Sequence, residues 1–199
     1  MTVDVEPGVR QRVLDAGVEL FAAQGYDATS VAQIVARAGV AKGGFYHHFA
    51  SKDQLLYEVY GDLITRQLTQ MDRIVARGDP AGETLRALIV DLVETTAARA
   101  REARVFGREV HRLDNERAEQ CRLARRRYHD TVIRLIARAQ ATGEFEPVAS
   151  AETITFTIFG MINELPVWYR PNGRKRPHQI GTELAEFVLA ALEKSDDRP

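Results

Sequence analysis

Cysteine is nearly absent: Cys121 is the only one in 199 residues. A single thiol excludes an intramolecular disulfide and a cysteine-built zinc site. No run of about 20 uncharged apolar residues occurs, so no membrane-spanning segment is expected. The first eight residues carry Asp4 and Glu6 and no apolar stretch, which does not fit a secretory leader. The resulting expectation is a cytoplasmic protein without metal or cofactor. Sustained period-2 alternation, low-complexity segments and clear repeats are missing too, and the Asn172–Gly173 pair reads as a loop. A β-rich fold is therefore not expected. Acidic residues are missing from positions 28–52, a stretch that holds Arg37, Lys42, His47, His48 and Lys52. In a chain of net charge −1 this local excess is a weak electrostatic footprint for nucleic acid, and it also fits chance.

What is present reads as helix after helix. Hydrophobic residues make up 45% of the chain, enough to bury a substantial core. Val9, Val13, Ala16, Leu20 and Phe21 recur at helical spacing and predict a first helix over residues 9–24, stopped by Gly25. Ser30 and Gln33 form a capping-box pattern that opens a second helix, which Gly39 ends after about two turns. The chain restarts over residues 41–49. Ser51 and Gln54 repeat the capping pattern and open a long helix to about residue 76. Later helices are predicted over residues 81–100, 103–113, 116–142, 151–169 and 176–193, punctuated by Gly143, Pro147 and Pro171. The fold class is all-α.

Two short helices joined by a tight glycine-containing turn read as a helix-turn-helix. The third helix carries Lys42-Gly43-Gly44-Phe45-Tyr46-His47-His48-Phe49. Adjacent glycines cost about 1 kcal/mol each relative to alanine inside a helix, so something must offset them. Glycines at the start of a recognition helix let the backbone approach a phosphate or base edge. Tyr46, His47 and Lys52 have donors for phosphate oxygens, and the amides beside Thr29 and Ser30 suit a phosphate as well. Phe45 and Phe49 share one face and should pack inward. On physics alone, a capped helical hairpin with a solvated aromatic patch is the competing reading.

The string Gly25-Tyr26, Ala28-Thr29-Ser30-Val31, Ile34, Ala38-Gly39-Val40, Lys42-Gly43-Gly44-Phe45-Tyr46, His48-Phe49, Ser51-Lys52 and Leu55 resembles the DNA-binding domain of TetR-type regulators without a gap. The resemblance covers about a quarter of the chain. It implies a three-helix DNA-binding domain at residues 1–52, a helical ligand-binding and dimerisation domain at residues 53–199, and a homodimer. It also implies that Thr29, Ser30, Lys42, Gly43, Gly44, Tyr46, His47, His48 and Lys52 lie at or near operator DNA.

The likeness fades beyond about residue 56. Residues 99–127 hold ten arginines against five acids. This is either a solvated face laced with ion pairs or a source of guanidinium forks for an anionic ligand. Residues 153–165 are apolar nearly all round, which predicts burial on more than one side, with Gly160 permitting close helix approach. Paired with a mate and with the amphipathic stretch at 180–192, they would form a four-helix dimer interface. Asn163 either touches ligand or serves backbone groups at a kink before Pro166. The string Trp168-Tyr169-Arg170-Pro171 ending at Gly173 is similar to one in a TetR subgroup that responds to acyl-CoA thioesters. That likeness implies a ligand site bordered by Trp168 and Arg170, with Arg108 or Arg112 as phosphate partners and apolar contacts from Phe106, Phe156 and Phe159.

Two other classes compete. His111, His129 and Asp114 form an imaginable catalytic or metal set, but no metalloprotease, nucleophile-elbow or phosphate-loop spacing occurs, so an enzyme is not expected. A ligand-free architectural DNA-binding protein is disfavoured by the apolar and aromatic content outside the helix-turn-helix. The expected partners are double-stranded operator DNA, a second copy of the chain and a small-molecule inducer. The inducer is expected to be an acyl-CoA thioester, with a hydrophobic drug-like compound controlling efflux as the alternative.

Overall fold

Apolar residues spaced three and four apart wind the first helix, α1 (Val9–Gln24), whose Val13, Ala16 and Phe21 are buried. The computed structural model describes residues 8–113 and 115–193, so Asp114 and the reading of Asp4 and Glu6 lie outside the described residues. Ser30 caps α2 (Val31–Ala38): its Oγ accepts from the Gln33 amide at 3.2 Å, and Gln33 Oε1 accepts from the Ser30 amide at 2.8 Å. This is the reciprocal box expected from the sequence. Gly39 closes α2 in the left-handed region, φ 63° and ψ 39°, where a side chain would be strained. The chain then re-enters a helix at once as α3 (Lys42–His48). Phe45 and Phe49 are both fully buried with ring centroids 5.6 Å apart, so the face read as inward is inward.

Ser51 Oγ accepts from the Gln54 amide at 3.1 Å and opens α4 (Lys52–Val75), but Gln54 Oε1 reaches the Ala50 amide at 2.7 Å rather than that of Ser51. There follow α5 (Ala81–Ala98), α6 (Ala100–Glu109) with a short tighter turn at Val110–Arg112, α7 (Asn115–Thr142), α8 (Ala151–Asn163), α9 (Leu165–Trp168) and α10 (Pro177–Leu192). The helix predicted over residues 151–169 is thus broken at Glu164. Pro166 has no amide to return to the preceding turn, so α8 cannot run on unbroken. No strand occurs among the described residues.

The chain forms two compact units. One comprises residues up to Asp62 with Arg101–Cys121; the other comprises Leu63–Ala100 with residues from Arg122 onward. This division does not follow a boundary at residue 52: the start of α4, most of α6 and the start of α7 belong with the helix-turn-helix. In the first unit, α1, α2 and α3 pack on one another, and Tyr60 of α4 stacks on Phe106 of α6.

In the second unit, Leu85, Leu88, Ile89 and Leu92 of α5 meet Tyr128, Val132 and Ile136 of α7. Ile154, Ile158 and Ile162 of α8 and Val188, Leu189 and Leu192 of α10 complete this core. The α5–α10 crossing is close because Gly181 has no side chain. A Cβ there would stand 2.9 Å from the Val90 Cα, a backbone atom that cannot swing aside. No helix among the described residues is long and apolar enough to cross a membrane.

Candidate DNA-reading surface and ligand residues

The exposed face of α3 carries Lys42, Gly43, Tyr46 and His47, and Tyr46 is 50% exposed with its ring edge-on to that of Phe45 at 5.2 Å. Lys42 Nζ lies 6.0 Å from the Tyr46 ring centroid, and the His47 and His48 rings meet edge-on at 4.8 Å. These groups offer ammonium, phenol and imidazole donors on one solvent-facing surface. No carboxylate interrupts the sequence between Asp27 and Asp53.

The two glycines of α3 do different things. A Cβ on Gly44 would touch Val9 Cγ1 at 3.4 Å, so this glycine lets α1 and α3 approach. A Cβ on Gly43 would meet nothing within 4 Å, and Gly43 is not among the glycines with positive φ. Neither packing nor backbone geometry asks for glycine at 43.

Three of the residues expected at DNA have internal partners. Thr29 is 1% exposed and its hydroxyl donates to the Gly25 carbonyl at 2.7 Å, so its side chain shapes the turn before α2. Lys52 Nζ donates to the Tyr26 and Thr29 carbonyls, each at 2.8 Å, and lies 3.9 Å from the Tyr26 ring centroid. A cation held by two carbonyl dipoles and an aromatic face is a fixed clamp. In the chain by itself the Lys52 ammonium is engaged internally. The third, Ser30, is exposed, with its hydroxyl engaged in the cap.

Sequence reasoning missed the support behind this surface. The Tyr26 hydroxyl donates to the Asp53 carboxylate, and burial followed by that bond holds the phenol well above its ordinary range. Glu109 at the end of α6 accepts from the Tyr26 amide at 3.3 Å, and Arg112 pairs with Asp27. Sequence separations of 83 and 85 residues hide both contacts from any local pattern.

The residues expected at ligand fall in both units. Arg108 and Arg112 belong to the first unit; Phe156, Phe159, Asn163, Trp168 and Arg170 belong to the second. Arg112 is engaged with Asp27 there, and Arg127, further along the arginine-rich stretch, forms a 2.7 Å ion pair with Asp72. Phe159 is buried, its ring 5.3 Å from that of Tyr128 and 4.1 Å from that of His129. Burial above all, then Arg125, pulls the His129 imidazole below its usual range.

In the single chain Phe156 and Trp168 are 57% and 53% exposed. Within one chain α8 is buried on a single side, and Gly160 faces open space. Asn163 is exposed at the end of α8, and the Arg170 guanidinium donates to the Val167 and Tyr169 carbonyls at 3.1 Å, closing off α9. His111 lies in the first unit and His129 in the second, so they share no site within either.

Against known proteins the likeness runs nearly end to end. Residues 13–59 match the family described as bacterial regulatory proteins, tetR family, and residues 78–192 match the tetracyclin repressor-like C-terminal domain. The HTH-type transcriptional repressor KstR2 of Rhodococcus jostii is 27% identical over 93% of this chain and 91% of its own length. KstR2 of Mycolicibacterium smegmatis is 25% identical over 94% and 91%. Among solved structures, the ketosteroid transcriptional regulator KstR2 of Mycobacterium tuberculosis superposes with a TM-score of 0.87 at 23% identity, covering 98% of both chains. AibR in complex with isovaleryl coenzyme A and operator DNA superposes with a TM-score of 0.78 at 23% identity, covering 90% of this chain and 97% of its own. A capped helix-turn-helix whose exposed third helix bears a glycine the fold does not need, matched by sequence over both halves, places this chain in the TetR family of bacterial regulatory proteins.

Proposed function

We propose that the chain is a dimeric, cytoplasmic transcription repressor that binds a near-palindromic operator and is released from it by an acyl-CoA thioester. The observation that carries the DNA reading is Gly43: it is exposed, unstrained and next to open space, yet it sits inside a helix where glycine is unfavourable. Close approach of the α3 backbone to a phosphate or base edge accounts for it. Lys42, Tyr46, His47 and His48 then supply donors, with the α2 amides at Ser30 beside them. Gly44, Thr29 and Lys52 keep that surface in shape from behind.

The dimer reading rests on apolar groups left outside the second unit. Phe156, Val167 and Trp168 along α8 and α9, and Phe187 on α10, are between 53% and 71% exposed in a single chain. Such groups are buried when two copies pair through α8 and α10. A two-fold protein reads two half-sites about 34–36 Å apart, or a multiple of that spacing.

The inducer site is assigned to the second unit, with Phe156, Phe159 and Asn163 of α8 and Trp168 and Arg170 of α9 meeting the thioester. AibR, a structural neighbour, was solved with isovaleryl coenzyme A and operator DNA. Induction requires tighter ligand binding to the DNA-incompetent arrangement, commonly by about 1–3 kcal/mol or 5- to 150-fold.

The test is fluorescence anisotropy of promoter DNA upstream of the gene, titrated with protein and then with short- and long-chain acyl-CoA thioesters. Trp168, the only tryptophan, reports binding in parallel. Release of DNA together with a change in Trp168 emission supports the assignment. If an uncharged hydrophobic compound does both and no thioester does either, the inducer is of the drug-like class. If the promoter DNA does not bind at all, the regulator reading fails.

A further inference from the structure

Among the described residues, every hydrogen bond of the Gln33 side chain runs through its oxygen. Oε1 accepts from the Ser30 amide at 2.8 Å, from the Ser30 hydroxyl at 3.1 Å and from Gln24 Nε2 at 3.4 Å. A backbone amide only donates, so the atom facing it is the carboxamide oxygen, and the orientation of the group is fixed. Both Nε2 hydrogens are left over, on an exposed side chain in the first turn of α2. A glutamine held this way offers its surroundings donors and nothing else.

Position 33 also shows what it avoids. Glutamate completes a capping box as well as glutamine does, and a carboxylate in a first turn is further stabilised by the helix dipole. The chain uses that stabilisation elsewhere: α4 to α8 carry Asp53, Glu83, Glu102, Glu116 and Glu152 in their first turns. The first turns of α1, α2 and α3 hold no acid. At Gln33 the cap keeps its acceptor and omits the negative charge, on a helix packed against α3. A polyanionic partner accounts for the omission.

The same bonds decide what Gln33 contacts. Glutamine reads adenine with two bonds, donating to N7 and accepting from N6. Here the accepting half is occupied by Ser30 and Gln24, so the pair of bonds is not available. A phosphate oxygen asks for a donor alone.

We infer that Gln33 is a DNA-contacting residue whose Nε2 donates to an operator phosphate oxygen while its Oε1 holds the α2 cap. Gln24 is the positioning residue that helps to aim it. The inference rests on the operator-binding reading above and adds to it a contact that carries no base preference.

The test is anisotropy of the promoter DNA with single phosphates replaced by neutral methylphosphonates, using the wild-type chain and Gln33→Glu. The variant keeps the capping acceptor, so its melting temperature should hold or rise, while its affinity should fall about tenfold or more. At one phosphate in each half-site the two proteins should respond in opposite senses: neutralisation weakens the wild type and restores much of the affinity that Gln33→Glu lost. Gln33→Ala, a second variant that removes the donor without adding charge, should bind more weakly with an unchanged salt slope, since a neutral donor displaces no counterion. Wild-type affinity in Gln33→Glu, the same response of both proteins at every phosphate, or a changed base preference in Gln33→Ala overturns the contact. A wild-type chain that does not bind the promoter DNA takes the operator-binding reading down with it.

Discussion

The ammonium of Lys52 donates to the backbone carbonyl of Thr29 at 2.8 Å while lying 3.9 Å from the centroid of the Tyr26 ring. One side chain from the start of α4 thus fixes the turn that leads into α2. Lys52→Met should lower stability by about 1–3 kcal/mol, the scale of charge-assisted hydrogen bonds to buried carbonyls. Operator affinity should fall with it. The slope of log affinity against log salt should stay the same, because the ammonium shapes the surface rather than neutralising a phosphate. A slope reduced by about one unit would return Lys52 to the phosphate backbone.

The two adjacent glycines of α3 should separate cleanly. Gly43→Ala should raise stability by up to about 1 kcal/mol, since alanine is the better helix former and a Cβ there meets no atom. The same change should lower operator affinity, and Gly43→Val should abolish it with the fold intact. Gly44→Val should instead cost stability, because its branches would press on Val9. Circular dichroism melts paired with operator anisotropy decide this; undiminished affinity of Gly43→Val would remove the close-approach argument.

Gly181→Val tests the α5–α10 crossing. With the Val90 Cα 2.9 Å from the added Cβ, the helices must part. Overpacking of this kind costs about 1–3 kcal/mol. Chemical denaturation should show the loss; a neutral result would mean that the crossing is looser than drawn.

Stability should depend on pH through two groups acting in opposite senses. The Asp91 carboxyl titrates at about 6 in the fold against 3.8 unfolded, so the fold binds its proton more tightly. Its penalty is fully present above about pH 6 and relieved as pH falls towards 3.8. The His129 imidazole titrates below its usual 6.5 in the fold, so its effect is a loss of stability that begins as pH falls through 6.5. Asp91→Asn should therefore stabilise the protein at pH 7.5, by about 1 kcal/mol once the partial exposure of the carboxyl is discounted, and steepen its loss on acidification. His129→Gln should flatten that loss. Urea midpoints between pH 4.5 and 8 separate them, and parallel curves for all three proteins would rule out both assignments.

Much of the local architecture was legible because it is written in neighbouring residues. Ser30 with Gln33, Gly39 after Ala38, and Phe45 with Phe49 are contacts within four positions, and each forms as the spacing requires. The break at Glu164 was readable from Pro166 as a kink but not as the end of a helix.

What stayed hidden is long-range. Lys52 has the composition of a phosphate ligand, and only the fold shows the carbonyls it already serves. Glu109 and Arg112 read as part of an arginine-rich ligand half, yet they pack against the turn before α2. Phe156 and Trp168 are apolar by type, but which side of a helix faces its own chain depends on helices far away in sequence. Asp91 sits in an ordinary amphipathic pattern, and nothing local marks its buried, unpartnered Oδ2.

The open space beside Gly43 also has a genetic reading. A chain altered only there keeps its core, its α5–α10 crossing and its exposed α8 and α10 side chains, so it can still pair with an unaltered chain. In a cell expressing both in equal amounts, roughly three quarters of two-fold pairs would contain at least one subunit blind to DNA. Substitutions at this position should therefore behave as dominant, derepressing alleles, whereas substitutions at Gly181, which undermine folding, should be recessive.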